Sequence, residues 1–277
     1  MTEIGGRGRP ILAFVHIPKT AGTTLKFILR NSTYFRHCDL QTPVRHGIFR
    51  DDDFRFMKKV FPFGLRSIAG HSLVHPTANL SAPIQYFTFV REPLARCLSH
   101  YQQLKRGRQR IGRDLSFQEF LEIDHGRDHQ VYHIAGEYQL EKAKEELSRY
   151  LFVGLTECFA ESMLVLQRLA PYPLNLEFQR RHVTKDHSAR REVLENPATR
   201  RLLEEGNQLD LKLYEWVRDT LYPALREKTG IDARELDEND FRLRSYPLRY
   251  KLTRGYNMAV YRSLCKLRRE PGYRNSE

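Results

Sequence analysis

The sequence predicts an α/β fold built on a mainly parallel sheet, and three observations carry that prediction. Ile11 to Val15, Gln85 to Val90 and Tyr150 to Leu155 are short runs of apolar, β-branched and aromatic residues, the composition of buried strands. Each leads through small, polar or proline-containing residues into apolar residues at helical spacing. Strands alternating with helices imply crossover connections and hence parallel pairing. In 277 residues without an internal repeat, 40% hydrophobic and 11% aromatic content suffices for a core and excludes collagen-like, coiled-coil and wholly disordered chains.

Taken in order, the first run is followed by His16-Ile-Pro and the small, polar Lys19-Thr-Ala-Gly-Thr-Thr24, after which Leu25, Ile28 and Leu29 mark a helix. Thr23 or Thr24 is the expected N-cap, because a hydroxyl there can accept from an unpaired first-turn N–H. The second run passes through Arg91-Glu-Pro into Leu94, Leu98, Tyr101 and Leu104, with Pro93 suited to the first helical turn. Residues 105–113, with Lys105, Arg106, Arg108, Arg110 and Arg113, read as a basic loop after that helix. The third run leads into a helix near 159–169, and residues 198–225 read as one further long helical stretch. The chain divides into a lead (1–10), one α/β domain (11–241) and a basic C-terminal tail (242–277).

The net charge of +12 favours anionic partners, and residues 242–277 carry +8 of it through ten basic residues and two acids. Within the tail, Ala259, Val260, Leu264 and Leu267 interleave with Arg262, Lys266, Arg268 and Arg269. That pattern fits an amphipathic helix at an anionic membrane, or else a solvated tail. No apolar run approaches the roughly 20 residues of a membrane helix, and Met1-Thr-Glu-Ile-Gly-Gly-Arg7 lacks the core of a signal peptide, so the chain reads as cytoplasmic, with peripheral membrane association through 242–277 the open addition. Cys38, Cys97, Cys158 and Cys265 form no C-x-x-C pair, which argues against a zinc site and against a disulfide framework. The sequons at Asn31 and Asn79 read as chance matches. Nucleic acid is the weakest of the anionic partners, since no recognition-helix or RNA-platform motif accompanies the charge.

The segment from Lys19 to Thr24 has the makings of an anion site. A helix start offers unpaired N–H groups and a positive dipole end, small side chains admit a phosphate, and a lysine adds a mobile charge. Walker A spacing is absent, because Phe14-Val-His-Ile-Pro18 precedes Lys19. His16-Ile-Pro-Lys-Thr-Ala-Gly-Thr-Thr24 instead resembles the 5′-phosphosulfate loop of family 2 sulfotransferases, the carbohydrate branch that includes heparan sulfate 2-O-sulfotransferase and bacterial relatives. Phe89-Val-Arg-Glu-Pro-Leu-Ala-Arg-Cys-Leu-Ser-His-Tyr101 is similar to that family's 3′-phosphate motif, and Val153–Ser162 and Asn207–Tyr214 resemble further family segments in the same order.

The resemblance implies a three-layer, P-loop-like fold and transfer of a sulfuryl group from 3′-phosphoadenosine 5′-phosphosulfate (PAPS) to a hydroxyl of a glycan or glycolipid. It assigns Lys19, Thr20, Ala21, Gly22, Thr23 and Thr24 to the 5′-phosphate and Arg91 and Ser99 to the 3′-phosphate. It also implies His71, in Ala69-Gly-His-Ser-Leu-Val-His75, as the catalytic base beside Lys19; Ala69 departs from the family's H-G-H. His75 is the runner-up base, His16 is expected to help position the loop, and His100 to face another side of its helix. His125, His129 and His133 stand with Asp124 and Asp128, but no metal is assigned, because this chemistry needs none. The rival readings are a nucleotide-dependent kinase with a variant loop and a non-catalytic protein binding an anionic glycan or membrane. The acceptor loops expected at 36–66, 105–130 and 172–190 name no substrate.

Overall fold

The computed structural model describes residues 9–40, 48–61, 63–74, 80–123, 126–178, 188–232, 235 and 247–267. Among these, β1 (Ile11–Val15), β2 (His37–Asp39), β3 (Ser67–Gly70), β4 (Ile84–Val90) and β5 (Phe152–Leu155) form one sheet in the order β2-β3-β1-β4-β5. Every pairing is parallel: Phe14 aligns with Ala69 on one side and Phe87 on the other, and Val90 with Leu155. β1 is central, which is why all five of its residues are apolar and buried.

Three strands were predicted and formed. β2 and β3 were not anticipated, being three and four residues long and containing His37, Asp39, Ser67 and Gly70. Ser67 finds partners: its hydroxyl lies 2.6 Å from Thr33 Oγ1 and 2.8 Å from His37 Nδ1. Buried polar groups with partners cost little, so short polar strands survive where a propensity reading sees none.

Helices flank the sheet. α1 (Gly22–Thr33) and α2 (Asp51–Val60) connect β1, β2 and β3; α3 (Pro93–Gln109), α4 (Phe117–Glu122), α5 (His129–Ala135) and α6 (Leu140–Ser148) lie between β4 and β5. After β5 come α7 (Phe159–Leu169), α8 (Ser188–Glu195), α9 (Pro197–Glu205), α10 (Gln208–Trp216) and α11 (Tyr222–Glu227). A second apolar cluster, including Cys97, Tyr101, Phe117, Phe120, Val193 and Leu203, joins α3, α4, α8 and α9 outside the main core.

Two boundaries differ from expectation. α3 continues to Gln109, so the first part of the basic stretch is helical and only the residues after Gln109 turn. The stretch 198–225 is broken at Gly206-Asn207, and a π turn (Val217–Leu221) joins α10 to α11. The break has a physical use: Asp128 accepts from the Leu209 and Asp210 N–H groups at the start of α10, while Asp210 accepts from Gln130 and Val131 at the start of α5. Each aspartate caps the other's helix.

Much of the basic C-terminal segment lies on the fold. α12 (Leu248–Tyr256) and α13 (Arg262–Leu267), joined by a π turn (Asn257–Tyr261), bury Tyr250, Thr253, Asn257, Tyr261 and Cys265. Tyr250 packs on Phe27 of α1, and Tyr256 and Tyr261 on Phe61. The Asn257 amide donates to His37 O at 3.1 Å and accepts from Asp39 N at 2.8 Å. It therefore supplies β2, the last strand in the sheet order, with the main-chain partners of an absent neighbour.

Candidate active site

In a doubly wound sheet, ligands collect where connections leave adjacent strand ends in opposite directions. Here the chain leaves β1 toward β2 and β3, and leaves β4 toward β5, so residues 16–21 and Arg91 flank that point. The two loops touch: Arg91 Nη1 donates to the Lys19 carbonyl at 3.2 Å.

The loop after β1 is held in an unusual backbone. Lys19 and Ala21 both have positive φ, 73° and 62°, a conformation costing a residue with a side chain on the order of 1 kcal/mol or more. Such left-handed residues build the N–H concavities that bind anions. The expected N-cap is corrected: Ala21 occupies that position with no side-chain bond, its carbonyl accepts from Thr24 and Leu25, and Thr23 and Thr24 lie inside α1. The Thr24 N–H is thus spent within the helix, and the Thr20 hydroxyl, fully buried, is spent on Ile17 O at 2.8 Å. The first-turn N–H groups of Gly22 and Thr23 have no i−4 carbonyl inside the helix and remain suited to an anion.

Gly22 is required by packing. A Cβ there would stand 1.6 Å from His16 Nε2. The buried His16 ring is stacked on Phe14 at 5.2 Å and on His71 at 3.7 Å. Burial, then the neighbouring His71, Lys26 and His133, hold His16 well below the ordinary imidazole pKa, so it is neutral at pH 7. His71 follows β3 directly, is exposed, and places Nδ1 2.7 Å from His16 O. A carbonyl only accepts, so Nδ1 carries the proton and, in the neutral ring, Nε2 is the basic nitrogen. Ala69 is buried in β3 beside Phe14.

Lys19 Nζ donates to Gln103 Oε1 at 2.8 Å. Burial and the charges of Arg91 and Arg106 lower the Lys19 pKa; burial also lowers that of Arg91, the nearby Glu157 and Glu92 carboxylates opposing it and Arg96 and Arg190 adding to it. A half-buried lysine whose charged form is disfavoured by neighbouring arginines is a candidate anion contact. Glu92, adjacent in sequence, is turned away to cap α3, accepting from Leu94 and Ala95 N–H at 3.0 and 2.7 Å, and Pro93 occupies the first turn as expected. Ser99 lies half-buried on α3 one turn before Gln103, so the two share the helix face that reaches Lys19.

Several contributors were invisible in the sequence. Gln130 clasps Arg91 through both main-chain groups, accepting from its N–H and donating to its carbonyl at 2.9 Å each, and Gln130 is itself held by Asp210. Gln103, Gln130 and Arg190 come from helices remote in sequence, and only the basic run containing Arg106 gave any signal. His75, His125 and Asp124 lie outside the described residues. His100, His129 and His133 are buried, and among the described residues no group of His, Cys, Asp or Glu is arranged to hold a metal.

A parallel sheet with a loop-to-helix turn after its central strand and an arginine at the end of the neighbouring strand is an arrangement suited to a phosphate-bearing ligand. The model of the sulfotransferase family matches residues 8–217, and this chain belongs to that family. Heparan-sulfate 6-O-sulfotransferase 1 of Homo sapiens and of Cricetulus griseus are each 24% identical to it over 290 aligned positions, covering 83% of this chain and 70% and 71% of theirs. The protein is a sulfotransferase.

Proposed function

We propose that the enzyme transfers the sulfuryl group of PAPS to a carbohydrate hydroxyl, releasing 3′-phosphoadenosine 5′-phosphate. The observation that carries this reading is the Arg91 to Lys19 contact, which fastens the loop after β1 to the end of β4 and sets two cationic side chains close together. The N–H groups of Gly22 and Thr23 with Lys19 would hold the donor's 5′ end, and Arg91 with Ser99 its 3′-phosphate. PAPS supplies the activated sulfuryl group, and the chain supplies charge and a base. Lys19 places positive charge where negative charge develops on the leaving phosphate. His71, its Nδ1–H fixed on His16 O, offers Nε2 to the acceptor's hydroxyl proton. The carbohydrate acceptor rests on the names of the relatives, both heparan-sulfate enzymes.

Transfer of labelled sulfate by Lys19→Ala and His71→Ala, assayed separately on a panel of glycans, tests the assignment; full turnover by both variants would remove it. A nucleotide-dependent kinase is distinguished by thermal shift, because a ligand that binds the native state stabilises it. The 3′,5′-bisphosphate should raise the melting temperature and ATP with magnesium should not.

A further inference from the structure

Six of the exposed large apolar side chains gather on the C-terminal helix: Leu248 (71% exposed), Leu252, Met258, Val260, Leu264 and Leu267 (80%). Its inner face is already used, since Tyr250, Thr253, Asn257, Tyr261 and Cys265 are buried against the fold. The same segment, 248–267, holds Arg249, Lys251, Arg254, Arg262 and Lys266 and no acid. Ordinary solvent-facing helices carry polar groups of both signs. This one presents leucines at i,i+4 spacing (Leu248 with Leu252) and cations of a single sign.

We propose that the outer face of α12 and α13 docks on an anionic lipid surface, apolar side chains entering the boundary between headgroups and acyl chains and cations meeting lipid phosphates. The choice of occupant follows from the combination. A second copy joined about a two-fold axis would set five cations against the same five, and a soluble polyanion would engage the cations but leave the leucines in water. The helix is already folded and seated, so binding need not also order the segment.

The test is co-sedimentation of the full chain with phosphatidylcholine vesicles, with and without phosphatidylserine. Binding is expected only when the anionic lipid is present. The pair Leu252→Gln/Leu267→Gln, both outward and outside the buried face, should weaken it on the order of tenfold; Arg254→Gln and Lys266→Gln should each weaken it about fivefold. Melting temperatures of the variants establish that they fold. Three results would overturn the proposal: no binding to either vesicle, binding lost with the charges but unaffected by the leucine pair, or a concentration-dependent dimer in sedimentation that the leucine pair abolishes.

Discussion

His71 is stacked on His16 with ring centroids 3.7 Å apart, and its Nδ1 lies 2.7 Å from the carbonyl oxygen of the same residue. One residue of the loop after β1 thus fixes both the plane and the tautomer of the proposed base. His71→Ala should lower kcat on the order of 10²–10⁴-fold, the usual share of a general base. His16→Leu keeps the carbonyl and loses the stack. A fall in kcat of roughly tenfold is expected from the loosened orientation, with bisphosphate affinity unchanged and His16→Phe restoring most of the rate. If His16→Leu instead weakens bisphosphate binding and leaves kcat intact, the ring serves the loop alone.

Gly22→Ala would place a methyl group against the His16 ring, which is buried and stacked on Phe14 and His71. Overpacking of this kind costs about 1–3 kcal/mol, which in a protein of this size is a melting-temperature loss of roughly 2–5 °C. Calorimetry reads it directly. An unchanged melting temperature would show that the loop and α1 separate at little cost.

Gln130 should affect cofactor binding although it is proposed to touch no cofactor. Its amide clasps the Arg91 backbone, so Gln130→Ala is expected to weaken bisphosphate binding about tenfold in titration calorimetry. Arg91→Ala should weaken it more, on the order of tenfold to a hundredfold. Wild-type affinity in Gln130→Ala would mean that the Lys19 carbonyl alone positions Arg91.

Asp39 gives the protein an acid-sensitive element. Burial pushes its carboxyl pKa up, but the hydrogen bond and charge of His37 and the charges of Arg30 and Lys26 outweigh this and hold it well below the usual carboxylate range. A pKa depressed by folding contributes stability in full above about pH 4 and loses it as pH falls toward the folded value. Asp39→Asn should therefore be clearly less stable than wild type at about pH 7, with the gap narrowing at about pH 3 in urea unfolding. A gap independent of pH would sink the assignment.

The parts of the fold that were legible in the sequence are those whose causes are local. β1, β4 and β5 are apolar runs because buried parallel strands must be, and Arg91-Glu-Pro93 announces a helix start through residues adjacent in sequence. β2 and β3 depend on Thr33, Ser67 and His37 finding one another across 30 residues or more, which no local pattern records. Lys19 stood out by residue type and Gly22 was named with the loop, but why position 22 must be glycine, the ring of His16, appears only once the chain is folded. Gln103 and Gln130 are ordinary helix glutamines until α3 and α5 bring them to Lys19 and Arg91.

The Asn257 amide also bears on how the chain can be cut. Without residues 247–267, the N–H of Asp39 and the carbonyl of His37 would face solvent on an open strand edge, with Phe27 and Phe61 uncovered nearby. Such an edge recruits strands from other chains. A truncation meant to remove only a basic appendage would expose a template for aggregation, so insolubility of the shortened protein would report the loss of this cover and say nothing of catalysis.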